Sequence, residues 1–146
     1  MINKTNKSNR TVLVGGCFDL LHFGHISFLQ QARNLGDYLV VALESDENVS
    51  RMKGPSRPIH TQLQRKAMLE SLSCINEVIT LNPMRTDQEY SDLVIKVHPQ
   101  IIAVTEGDSV EDKKRAHAKL IGAAVVVISK IHTPSTSQLA KILDLE

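Results

Sequence analysis

Short aliphatic blocks recur along the chain, and most are followed by a stretch whose apolar positions repeat every three or four residues. Thr11–Cys17 (TVLVGGC) is the first block and reads as a buried strand running into a tight turn at two glycines. From Phe23 to Leu35, the positions Phe23, Ile26, Phe28, Leu29, Ala32 and Leu35 fit a helix with one buried face, and Gly36 stands where a helix stop is expected. Tyr38–Leu43 (YLVVAL) is a second buried strand. Glu44–Ser50 is polar and reads as the start of a short helix; Arg51–His60, with one Gly, two Pro and three cations, reads as a loop. Gln62–Leu72 has helical periodicity through Leu63, Ala67, Leu69 and Leu72, and Glu77–Leu81 is a short strand. The pattern then predicts a helix over Asp87–Val97, a strand over Ile101–Val104, a charged amphipathic helix over Val110–Ile121 and a strand over Ala123–Ile128 (AAVVVI). A helix over Ser135–Leu145, with Ser135 or Thr136 as its N-cap, closes the order.

The strand blocks are continuous rather than alternating and rich in β-branched residues, and helices separate them. This combination belongs to a parallel sheet covered on both faces. The fold class is therefore α/β, a doubly wound parallel sheet of about five strands with helices on both faces. In such sheets, ligands bind beyond the carboxyl ends of the strands, where the strand order reverses. Residues 1–10 are polar and read as a disordered lead-in, and 11–146 as one domain.

Composition narrows the function classes. The 146 residues are 42% apolar and 23% charged, ordinary for a water-soluble chain, and the 3% aromatic content without Trp makes the core aliphatic. A net charge of +1 gives no global attraction to nucleic acid or to a membrane surface, so neither is expected as a partner. No apolar run approaches the roughly 18 residues that span a bilayer. Met1–Arg10 lacks the apolar stretch of a secretory signal. Cys17 and Cys74 are far apart without metal-ligand spacing, which fits a reducing cytoplasm.

The chemistry concentrates in Gly15-Gly16-Cys17-Phe18-Asp19-Leu20-Leu21-His22-Phe23-Gly24-His25, between the first strand and the first helix. Glycines at a strand end let backbone approach a ligand, and the helix start beyond offers N–H groups to an anion. His22 and His25 are three apart and face one side of a helix start, and Gly24 leaves room beside them. Two imidazoles aimed at one place can donate to phosphate oxygens, which suits phosphoryl or nucleotidyl transfer, where positioning and charge stabilisation dominate. Zinc held by the histidines and Asp19 is the rival reading. With no third close ligand in the sequence, no protein-bound metal is expected.

This stretch resembles the G-x-F-D-x-x-H-x-G-H signature of the cytidylyltransferase-like nucleotidyltransferases, matching at Gly16, Phe18, Asp19, His22, Gly24 and His25. The resemblance implies a Rossmann-like fold and a triphosphate-binding, transition-state-stabilising role for His22 and His25. It also implies a nucleotide pocket lined by Gly15, Gly16, Cys17, Phe18 and Gly24. Further similarity, through FGHISFLQQARNLGDYLVVAL, KG-x-SRPI and QRKAMLESL, is to the adenylyltransferases that act on heptose 1-phosphate. Lys53 is then a third catalytic residue facing the phosphates, and Arg57 and Asp19 are assigned to the acceptor. The turn Thr105-Glu106-Gly107-Asp108 corresponds to the Gly-Asp turn of the relatives, with Gly107 and Asp108 at the nucleotide. Thr105 and Glu106 replace a lysine and a glycine usual in the heptose enzymes. Ser135, Thr136 and Ser137 match the hydroxyl-rich turn that binds triphosphate, and Lys130 or His132 stands where the cytidylyltransferases carry an arginine. Arg65, on the following helix, is read as pairing with a carboxylate.

The expected activity is transfer of a nucleoside monophosphate, from ATP by preference, to a phosphorylated small molecule such as a sugar phosphate, releasing pyrophosphate. Mg²⁺ accompanies the triphosphate, and the expected state is a cytoplasmic homodimer. The alternatives are CTP-dependent transfer to glycerol 3-phosphate or a similar alcohol phosphate, adenylyl transfer to FMN, and a nucleotide-binding sensor without catalysis. Cys74, His60, His98 and His117 form no constellation and receive no role.

Overall fold

The aliphatic blocks lie side by side in one parallel sheet. The computed structural model describes residues 9–132, 138 and 141–143. Along the chain run β1 (Thr11–Gly16), α1 (Phe23–Arg33), β2 (Tyr38–Leu43), α2 (Asp46–Lys53), α3 (Gln62–Glu70), β3 (Glu77–Thr80), α4 (Asp87–Val97), β4 (Ile101–Thr105), α5 (Glu111–Ile121) and β5 (Ala124–Ile128). Among the described residues the sheet has five strands in the order β3-β2-β1-β4-β5, every neighbouring pair parallel.

Alternate strand residues feed two cores. Val12, Val14, Leu39, Val41 and Leu43 point to one face and pack with Leu29 and Ala32 of α1 and Leu69 of α3. Leu13, Val40, Ala42, Ile102 and Val104 point to the other and pack with Val94 of α4 and Ala118 of α5. Burial on both faces is why the strands read as unbroken apolar runs, and the doubly wound α/β reading holds. No helix among the described residues is long and apolar enough to cross a membrane.

Two expectations change. The segment Arg51–Lys53 is the last turn of α2 rather than part of a loop. Ser45 caps that helix by accepting from the Asn48 N–H, and Asp46 and Glu47 in the first turn with Arg51 and Lys53 in the last complement its dipole. The breakers act only from Gly54, at φ 111°. Gly36 is not the left-handed helix stop: α1 ends at Asn34 in ordinary helical conformation. A Cβ on Gly36 would lie 2.4 Å from the Arg10 carbonyl oxygen and 2.9 Å from a Val12 methyl, so glycine is needed for the α1–β2 turn to lie against the start of β1. Most of the closing helix expected over 135–145 lies outside the described residues; Gln138, Lys141 and Ile142 are helical.

Gly36→Ala should therefore cost about 1–3 kcal/mol, because the obstacle is backbone and cannot swing away. Urea unfolding monitored by circular dichroism measures it.

Candidate active site

The β1–β2 ladder runs over the whole of β1, from Thr11 to Gly16, whereas β1 and β4 pair only at Val12–Ile101 and Leu13–Ile102. Beyond Leu13 the two strands part, at the point where the strand order reverses. A cavity of about 980 Å³ opens there over the carboxyl ends. Gly15, Gly16, Cys17, Phe18, Asp19, His22, Gly24 and His25 line it from the β1–α1 turn, joined by Lys53 and Arg57. Asp108 lines it from the β4–α5 turn, and Gly107 stands behind it at φ 80°, which makes that turn possible. Ser135, Thr136 and Ser137 lie outside the described residues.

His22 and His25 form a reciprocal helix cap. His22 is the N-cap of α1; its Nδ1 accepts from the Gly24 N–H at 3.1 Å, and the His25 Nδ1 accepts from the His22 N–H at 3.3 Å. Their rings stack with centroids 3.9 Å apart. Each Nδ1 lone pair is thus taken, so each neutral ring carries its proton on Nε2 and has that N–H left to donate. Burial pushes both pKa values down. That of His25 falls to about 4, with His22 and Lys53 adding repulsion. The pair is two neutral donors at physiological pH. The anion site expected of the helix amides moves accordingly: His22 occupies amides of the first turn, and the ring Nε2–H groups remain for a ligand.

Phe18 fixes the second ring. It sits at φ 48°, unusual for a bulky residue, and its ring meets His25 edge-on at 5.6 Å. The Phe18 ring fills the space where a Gly16 Cβ would be, 2.8 Å from that point, whereas a Cβ on Gly15 would meet nothing closer than 3.7 Å. Gly16 is the glycine the site requires.

Asp19 is 3% exposed and spends its carboxylate on the loop before α3. Oδ2 accepts from Arg57 Nε and the Ile59 N–H, both at 2.7 Å, and Oδ1 from the His60 N–H at 3.1 Å. Burial opposes its charge, but these bonds outweigh it and hold the carboxyl below its ordinary value. Beside the acceptor-binding role expected of it, Asp19 has a positioning one, because its negative charge holds Arg57 at the cavity wall. Lys53 ends α2, exposed, close enough for its charge to act on both Cys17 and His25. Burial raises the Cys17 thiol above its ordinary pKa, which suits filler rather than nucleophile.

Arg65 does more than pair with a carboxylate. It is 1% exposed. Its Nε donates to the His60 carbonyl (3.0 Å), Nη1 to the Cys17 carbonyl (2.7 Å), and Nη2 to the Glu44 carbonyl (3.0 Å) and Asp46 Oδ1 (2.8 Å). One guanidinium ties the β1–α1 turn, the β2–α2 turn and the loop before α3. The available signal is its register, one turn before Leu69 on the buried face of α3. Glu44, Tyr90 and His117 also line the cavity, and nothing in their sequence surroundings signals it; His117 Nε2 lies 2.9 Å from Asp87 Oδ1, joining α5 to α4.

A family model described as cytidylyltransferase-like matches residues 13–142. The chain belongs to the cytidylyltransferase-like family. Among curated proteins it is 36% identical over 143 residues to the bifunctional protein HldE of Methylobacillus flagellatus, covering 97% of this chain and 28% of that protein. It is 36% identical over 136 residues to that of Helicobacter hepaticus, covering 93% of this chain and 27% of that one. The chain thus spans little more than a quarter of these relatives. Among solved structures, a lipopolysaccharide core biosynthesis protein from Thermoplasma volcanium superposes with a TM-score of 0.67 at 26% identity, over 84% of this chain and 96% of that one. A pantoate-beta-alanine ligase from Francisella tularensis shares the fold, with a TM-score of 0.59 at 15% identity over 86% of this chain and 60% of that one.

Two outcomes follow for this cytidylyltransferase-like site. Arg65→Met strands three carbonyls, and should cost about 3–5 kcal/mol in denaturant unfolding. For His25, the folded pKa of about 4 lies below the ordinary 6.5. The unfolded chain binds a proton in that window that the folded chain does not. Stability should fall as pH drops from 6.5 toward 4. His25→Gln should flatten part of that slope in unfolding titrations across the window.

Proposed function

We propose that this chain transfers the nucleoside monophosphate of ATP to a phosphorylated acceptor of the sugar-phosphate kind and releases pyrophosphate. The observation that carries the reading is the stacked, neutral His22–His25 pair, each ring with an Nε2–H to give, in a cavity at the strand-order switch that Lys53 and Arg57 also line. Similarity to the HldE proteins along most of the chain favours ATP and a sugar phosphate over CTP with an alcohol phosphate or over FMN.

In the reaction, an oxygen of the acceptor phosphate forms a bond to the α-phosphorus, the bond from that phosphorus to the bridging oxygen breaks, and pyrophosphate leaves with the electron pair. A phosphate monoester is already an anionic nucleophile, so no side chain need remove a proton. The histidines donate to phosphate oxygens without giving up their protons, and Lys53 balances charge that gathers on the triphosphate. Among the described residues no three His, Cys, Asp or Glu side chains converge on one point. Lys53, Arg57, Lys113 and Lys130 line the cavity and suit the polyanionic triphosphate; Mg²⁺ would be held by that triphosphate and would supply further charge shielding.

The test is pyrophosphate release with Mg²⁺, crossing ATP and CTP against heptose 1-phosphate, glycerol 3-phosphate and FMN. Release should be fastest with ATP and the sugar phosphate. His25→Ala should lower kcat by on the order of 10²–10³. That variant also loses half of the cap, about 0.5–2 kcal/mol, so it is assayed well below its unfolding temperature. Nucleotide binding without release across the panel would instead mark a sensor.

A further inference from the structure

The lining of the cavity also carries a polar unit that phosphate handling does not use. Glu44 follows β2, its N–H donating to the Gly16 carbonyl at 3.1 Å, which sets it beside the signature turn. Its Oε1 accepts from the Tyr90 hydroxyl at 2.9 Å and its Oε2 from Asn48 Nδ2 at 3.0 Å. Asn48 is wholly buried, and its Nδ2 also reaches the Met84 carbonyl at 2.9 Å and the Tyr90 oxygen at 3.2 Å. Turning that amide over would set Oδ1 against a carboxylate and a carbonyl, so its orientation is fixed. Burial and the Glu44 carboxylate push the Tyr90 phenol up to about 12, and it stays a donor.

Glu44 and Tyr90 line the cavity, and Asn48 stands behind them. The Tyr90 proton is spent on Glu44 and the Asn48 donors on Glu44, Met84 and Tyr90. Each Glu44 oxygen accepts one of these bonds and keeps a lone pair. What the unit has left to offer is a half-buried carboxylate held rigidly with its accepting capacity open, beside the apolar floor of Leu13, Ala42, Leu81 and Val94.

We propose that Glu44, positioned by Tyr90 and Asn48, selects the acceptor by accepting hydrogen bonds from hydroxyls on an uncharged, polyhydroxylated acceptor body. The inference rests on the nucleotidyl-transfer reading of the same cavity and adds which part of the acceptor is read. A second anionic group on the acceptor would meet the carboxylate. A cationic one would meet Arg51, whose charge reaches Tyr90, and Arg85, Lys113 and Lys114, which line the same cavity. Tyr90 is the aromatic residue of this unit, and one ring makes no cage for a quaternary ammonium group. Neutral adjacent hydroxyls suit a fixed carboxylate with two open lone pairs.

The test compares heptose 1-phosphate with its 2-deoxy and other monodeoxy analogues and with phosphoethanolamine, on the wild-type chain, Glu44→Gln and Tyr90→Phe. Calorimetric binding is read alongside pyrophosphate release. Glu44→Gln keeps shape and removes charge, and should weaken heptose 1-phosphate roughly 10–100-fold through acceptor KM, leaving the ATP KM within about twofold. Tyr90→Phe should weaken it less, about 3–10-fold, again without touching ATP. At least one deoxy analogue should bind the wild-type chain poorly, and that penalty should vanish in Glu44→Gln, an effect that general loosening of the fold does not produce. The inference is overturned if Glu44→Gln keeps the wild-type penalty, raises the ATP KM equally, or selectively loses phosphoethanolamine. It is also overturned if the wild-type chain binds none of the hydroxylated phosphates. Glu44-dependent binding without pyrophosphate release would sink the transfer reading instead, so the two failures are told apart.

Discussion

The guanidinium of Arg65 is where the cavity is held together. Taking an arginine charge out of water costs several kcal/mol, and the fold tolerates it only because four of its N–H directions end on acceptors that would otherwise be short of partners. Three of those acceptors are backbone carbonyls, one each from the β1–α1 turn, the β2–α2 turn and the loop before α3. Asp19 makes the complementary arrangement, a buried carboxylate accepting from Arg57 and from two amides of the same loop. The His60 residue is gripped from both sides, its N–H by Asp19 and its carbonyl by Arg65. Rigid placement of the Phe18–His25 contact follows, because the signature turn cannot shift without dragging β2–α2 and the loop before α3.

The electrostatic balance has a consistent logic. Cations line the cavity that would receive phosphates, yet the two groups at its centre are kept neutral by burial and by their own cap. A neutral imidazole donates without adding repulsion to Lys53, and its proton is fixed on the outward nitrogen by the backbone. The carboxylates of Glu44 and Asp108 line the same cavity among lysines and arginines. Asp108 is paired to Lys114 at 2.6 Å, whereas the partners of Glu44 are the uncharged Tyr90 and Asn48.

The fold was legible because its strands are buried on both faces and so advertise themselves as unbroken Val, Ile and Leu runs. The signature turn was legible because glycine, aspartate and paired histidines in that order have few other uses. What escaped depends on partners far apart in sequence. Nothing near Arg65 announces Cys17, 48 residues away, and nothing near Glu44 announces Tyr90, 46 residues away. Tyr90 and His117 sit on helices whose polar residues look like ordinary solvated faces until the helices are docked. Lys53 reads as a loop residue because Gly54 and Pro55 follow closely, although the Ser45 cap and the charge order of Asp46–Lys53 describe a helix. Gly36 was read by its position after a helix, whereas its reason lies in the strand packed against it.

The reciprocal cap of His22 and His25 bears on how such a chain can change over generations. Each ring caps the backbone of α1 through Nδ1 and, on the proposed reading, donates through Nε2 to the phosphates. A replacement at either position therefore weakens the start of a helix, and leaves the remaining ring bonded to its amide but without the neighbouring ring 3.9 Å away. Losing one ring thus removes a cap bond and a ring contact in a single step, so drift at these two positions is opposed by folding as well as by whatever the cavity does.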